Sequence, residues 1–139
     1  MTSFSASVSA WAAKSQKRME AIVKESAQRV GSEVIDRTPV DTGFLRGSFI
    51  ASTSEMPLID RDARPAPGGS YDMGTSQIAL VIAGSKPGDV IRMGFVASYA
   101  AHVEYGSNGR AGRGMVRLSA QRWPQIVAEV VQEAKARIR

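Results

Sequence analysis

The chain has 139 residues, 43% of them hydrophobic and 22% charged, with a formal net charge of +5 and no cysteine. That size fits one folded domain, and the missing cysteines exclude disulfides and any thiolate metal site. Alanine supplies 19 residues and leucine only 4, so a lone monomer is expected to have a thin core that assembly would complete.

The first 23 residues lack a basic stretch followed by an apolar run, so no signal peptide is expected. No window holds 18 apolar residues in a row, and no membrane span is expected either. From Phe4 to about Asp36 the apolar positions Phe4, Val8, Trp11, Met19, Ile22, Val23, Val30 and Val34 recur mostly at intervals of three and four. This predicts one long amphipathic helix. Gly31 is a point where it is expected to bend or fray. Thr38-Pro39 ends it, because a residue before proline is driven out of the α region.

Asp41-Thr42-Gly43 follows. This triplet carries the catalytic aspartate of aspartic proteases, where two buried strand ends bring two carboxylates together to share a proton. Here a single copy follows a helix exit, so the expected role is a tight turn, with Gly43 at positive φ. Leu45, Gly47, Phe49 and Ala51 then alternate with Arg46, Ser48 and Ile50, predicting a half-buried strand. Residues 54–76 have no periodicity and hold three prolines and three glycines, the pattern of a long irregular loop. The loop is expected to reach a neighbouring subunit or an adjoining assembly. Residues 77–84 and 89–98 predict two strands of a hairpin joined through Lys86-Pro87-Gly88-Asp89, which has the type II turn pattern.

A short helix is expected from Tyr99 to Tyr105, capped by Gly106. A Gly/Arg loop leads to a C-terminal amphipathic helix with apolar positions Met115, Leu118, Trp123, Ile126, Val127, Val130, Val131, Ala134 and Ile138. Pro124 is expected to kink it or to mark its start near Arg122. The expected fold is α+β, in one domain spanning residues 1–139. A long N-terminal helix, a small antiparallel sheet of three to four strands and a short helix come first. The last helix is expected to pack on the sheet.

His102, the single histidine, lacks partners for a metal site and is expected to be structural or at an interface. No nucleophile elbow, phosphate loop or dinucleotide fingerprint is present. The residues point away from an enzyme and imply no cofactor. Arg110, Arg113, Arg117 and Arg122 fall together with no acid among them. They read as a solvated loop and helix start, or as a surface facing phosphate or a partner.

Two segments carry a family resemblance. In "RTPVDTGFLRGSF", Pro39, Val40, Asp41, Thr42, Gly43, Leu45, Arg46 and Ser48 match a signature that follows the first helix in a group of tailed-phage neck proteins. In "YAAHVEYGS", Tyr99, Ala100, Val103, Glu104, Tyr105, Gly106 and Ser107 match a second. Met115-Val116-Arg117 entering a C-terminal helix is a weaker third, since the group often enters that helix through Pro-Phe where this chain has Gly114-Met115. The chain thus resembles the small tail-completion or head–tail joining proteins of lambda-like phages and gene transfer agents.

The resemblance implies a non-catalytic virion protein, assembled in the host cytoplasm into a neck ring of six copies. Its neighbours would be neck, connector, tail-tube or terminator proteins. Double-stranded DNA would pass through the lumen without sequence specificity, and no membrane is involved. Two other functions fit the same residues: a tail terminator capping the tube, and a small basic nucleic-acid-binding domain. Arg46 and Glu104, one in each motif, either pair with each other or are unrelated surface charges.

Overall fold

The computed structural model describes residues 3–40, 43–62 and 75–138, with the side chain of residue 138 excepted. Helix α1 runs without interruption over Phe4–Arg37. Ser3 starts it, its hydroxyl accepting a bond from the Ala6 N–H at 3.2 Å. Thr38 leaves it in extended conformation, φ −78° and ψ 127°, as the following proline demands. Thr38 is itself buried and its hydroxyl donates back to the Val34 carbonyl at 2.6 Å. Gly31 does not interrupt the helix. It is buried, and a Cβ there would stand 3.2 Å from Met93 Sδ and 3.4 Å from Ile78 Cγ2. Its missing side chain is what lets the sheet and a second helix press against α1.

At 1.5 Å per residue, α1 is about 51 Å long, whereas a compact chain of this size has a radius of gyration of about 14 Å. The helix therefore outruns the domain. Its buried residues, Ser26, Ala27, Gly31, Val34 and Ile35, all lie in the C-terminal part. Phe4, Val8, Trp11, Met19 and Val23 of the same helix are exposed.

The short helix α2 (Phe44–Gly47) precedes strand β1 (Phe49–Ser52), so the strand expected from Leu45 begins four residues later. Ser48 closes α2, with its N–H reaching the carbonyls of Phe44 and Leu45. The alternation was real only from Phe49 onward, where Phe49 and Ala51 face the core. Helix α3 (Thr75–Ala83) occupies the place where the first hairpin strand was expected. Ile78 and Ile82, four apart, are buried, while Leu80 is exposed, a helical and not a strand pattern. The Lys86–Asp89 turn forms as expected, with Gly88 at φ 91° and the Asp89 N–H bonded to the Lys86 carbonyl at 3.0 Å.

Strand β2 (Arg92–Phe95) pairs antiparallel with β1, not with residues 77–84. Phe49 stands opposite Phe95 with ring centroids 4.7 Å apart. Helix α4 (Ala100–Tyr105) ends at Gly106, and strands β3 (Gly106–Ser107) and β4 (Arg110–Ala111) form a tight antiparallel hairpin. The last segment is two helices, α5 (Met115–Gln121) and α6 (Trp123–Ile138), broken at Arg122 just before Trp123-Pro124.

The fold is α+β, with its described strands in two two-stranded sheets. One face of α1 receives α3 and the other receives α5 and α6. The C-terminal helix thus packs chiefly on α1, through Ile126 and Val130. Ion pairs of Arg29 with Glu133 and of Arg122 with Glu33 fasten the same seam. Bonds from Glu133 and Glu25, at the cost of some desolvation, hold the Arg29 guanidinium well above its ordinary pKa.

Candidate functional site

The two sequence motifs lie side by side. Pro39 and Leu45 from the first, and Tyr99, His102, Val103 and Ser107 from the second, line one open groove of about 600 Å³, rimmed by Arg110 and Arg113.

The first wall is fixed by the exit of α1. Gly43 sits at φ 86° as the residue before α2, the left-handed region that a side chain enters at a cost. Asp41 and Thr42, expected to form the turn, lie outside the described residues. Val40 is exposed. Arg46 folds back, its Nε donating to the Thr38 carbonyl at 2.8 Å. It thereby satisfies a carbonyl at the end of α1, which has too few helical partners. Ser48 donates its hydroxyl to the Leu45 carbonyl at 2.8 Å, and its own carbonyl accepts from the Val96 N–H at 2.9 Å. The motif is therefore a joint between helix and sheet.

The second wall is organised by Glu104, which is buried. Helix α5 begins at Gly114, a residue without a side chain to cap it. Glu104 supplies the cap from ten residues upstream. Its carboxylate accepts from the N–H groups of Val116 (2.9 Å) and Arg117 (3.0 Å) and from Arg117 Nε (3.0 Å). Arg117 Nη2 also donates to the Glu104 carbonyl at 2.8 Å, and its guanidinium lies 4.6 Å over the Tyr105 ring. Burial alone would raise the Glu104 pKa. The two backbone N–H bonds and the Arg117 guanidinium outweigh it and hold the carboxyl below its usual range.

Arg46 and Glu104 consequently do not pair: each is engaged elsewhere, Arg46 with the Thr38 carbonyl and Glu104 with Arg117, a partner the spacing of the motifs did not point to. One cue existed, the Gly-rich hairpin between them. A Cβ on Gly106 would come within 2.5 Å of the Arg110 carbonyl oxygen, so only a tight return is possible here, and it carries Arg117 back to Glu104. Ala100, the first residue of α4, is buried, while Tyr99 and Tyr105 are exposed.

The four clustered arginines divide. Arg117 and Arg122 are taken up inside the subunit, Arg122 with Glu33 and more loosely with Glu129 at 3.9 Å. Arg110 and Arg113 remain at the groove, next to the exposed His102. Among the described residues, no group of three metal-ligating side chains comes together and no helix is long and apolar enough to cross a membrane.

The chain belongs to the family described as "Bacteriophage HK97-gp10, putative tail-component", whose model matches residues 3–106. The match takes in α1, the joint and the second motif as far as Gly106, and stops before α5 and α6. Searches of curated proteins and of solved structures each returned no significant match. The chain is thus a structural component of the phage tail or neck, and belongs with other proteins of that part of the virion.

Proposed function

We propose that this chain is a non-catalytic ring subunit of the phage neck: six copies close into a ring that completes the tail and joins it to the head connector, and DNA leaves through the lumen. The observation that carries the reading is the exposed apolar row on the first half of α1, where Phe4 is 85% and Trp11 69% exposed. A free subunit gains nothing from keeping such a row in water.

The groove between the motifs is the surface offered to the adjoining neck ring. Its free cations, Arg110 and Arg113, suit an acidic partner better than the DNA, since each phosphate contact in a channel adds affinity and slows exit. With Arg117 and Arg122 held internally, too few arginines remain for a dedicated nucleic-acid-binding surface.

Cryo-EM of virions with this chain traced in the density tests the reading, together with native mass spectrometry of the purified chain. A ring of density at the head–tail junction is expected. A chain found elsewhere in the particle, or in a single copy, overturns it.

A further inference from the structure

We infer that residues 55–62 of one copy seat on the projecting half of α1 of the next copy, along the groove between that helix and the 86–89 turn. This rests on the ring reading and adds to it the two faces that meet.

The receiving face is a groove of about 410 Å³ in which Trp11, Met19 and Val23 of α1 confront Pro87 and Ile91. No described residue of the subunit fills it. The inserting face is the stretch after β1. Met56, Leu58 and Ile59 are exposed there, Leu58 to 78%, yet the stretch is not loose. The Asp60 N–H donates to the Val96 carbonyl at 2.9 Å, Asp60 bridges to Ala97, and Met56 Cε lies where a Cβ on Gly94 would stand 2.9 Å away. An apolar strip presented on a fixed backbone loses little freedom on docking.

Length and charge fit the pairing. The five residues 56–60, outside the bend at 55 and the turn at 61–62, reach at most about 17 Å, which fits within the about 20 Å that α1 covers from Trp11 to Lys24. Residues 55–62 hold three acids and one arginine, net −2, while residues 11–24 hold four bases and one acid, net +3. Two copies of α1 placed face to face would set one basic stripe against another. The head-to-tail pairing sets opposite charges together and joins unlike surfaces, the kind of contact that closes into a ring.

The chain has no cysteine, so introduced thiols report single contacts. Gln16 and Leu58 are both exposed in the subunit, and replacing them leaves its core alone. The full chain carrying Gln16→Cys and Leu58→Cys is treated with a short bis-maleimide, both purified and in assembled tails. The expected product is a ladder of covalent dimers, trimers and larger species, at least tenfold stronger than from a Gln16→Cys/Ala128→Cys control. Gln16→Cys alone should give none. Dimers from Gln16→Cys alone would mean that α1 meets α1, and overturn the inference. Rings that persist without a ladder overturn it while the ring reading stands. A chain that is single in solution and in tails overturns both.

Discussion

Glu104 shows how one side chain can decide the order of a whole corner. It is ionised, buried and bonded to the start of α5, so its folded pKa lies below its unfolded one. The stability it contributes is therefore complete above the unfolded value, about 4.3, and is lost as pH falls through the folded pKa. Glu104→Gln keeps the shape and loses the charge. It should cost about 1–2 kcal/mol at pH 7, and the loss should shrink on acidification below pH 4, checked by urea unfolding at several pH values. Gly43→Val, at φ 86°, should cost about 1–3 kcal/mol through backbone strain, measured the same way. Gly43→Ala should show most of that loss, because the penalty comes from having any Cβ.

At the scale of elements, α3 stands in for a strand. Its Gln77 amide makes both bonds to the Ala51 backbone: Oε1 accepts from the N–H and Nε2 donates to the carbonyl, each at 2.9 Å. This is how a neighbouring strand would treat Ala51, and it covers an edge of β1 that would otherwise offer itself to other chains. Gln77→Ala should cost about 1–2 kcal/mol and speed hydrogen exchange at the Ala51 amide more than at the paired amides of β2. Equal rates would show that the amide does not seal that edge. The same feature explains the misreading of residues 77–84. A run of Ile, Ala, Leu and Val fits a buried strand and a buried helix equally well by periodicity, and the packing of Ile78 and Ile82, four apart, resolves it. Helix α1 was legible because its stripe is long and its stop is stereochemical, at Thr38-Pro39. The contents of the groove were half legible. Both motifs stood out in the sequence, but Glu104 meets Arg117 across a hairpin whose tightness depends on Gly106 and Gly112, and spacing alone pointed as readily to Arg46.

For the whole molecule, the division of α1 separates folding from assembly. The buried residues of α1 begin at Ser26, so removing residues 1–14 should leave the thermal midpoint of the subunit within a few degrees, as seen by circular dichroism. The shortened chain should not form rings by native mass spectrometry. If it unfolds instead, the projecting half belongs to the fold after all. Charge reversal at Arg110 and Arg113 should act at the other boundary, giving intact rings whose heads and tails fail to join. Since such attraction is screened within roughly 8 Å at physiological salt, raising the salt should weaken joining by the unaltered protein. Normal joining by the Arg110→Glu/Arg113→Glu variant at both low and high salt would leave these arginines as solubilising charge only.

In mechanical terms, α1 is a beam clamped at one end. Its first 14 residues, about 21 Å, extend before Arg18, where α6 begins to flank it, and about 29 Å lies between Arg18 and Arg37. A sideways force on the tip is taken up along the seam against α5 and α6. Two ion pairs bridge that seam, Arg29 with Glu133 and Arg122 with Glu33, and the second of them sits at the break between the two C-terminal helices. In the ring proposed above, a pull between neighbouring subunits would bear on that break. Arg122 is therefore the place where strain would open the subunit first, and a softer residue there would turn a rigid spoke into a hinge.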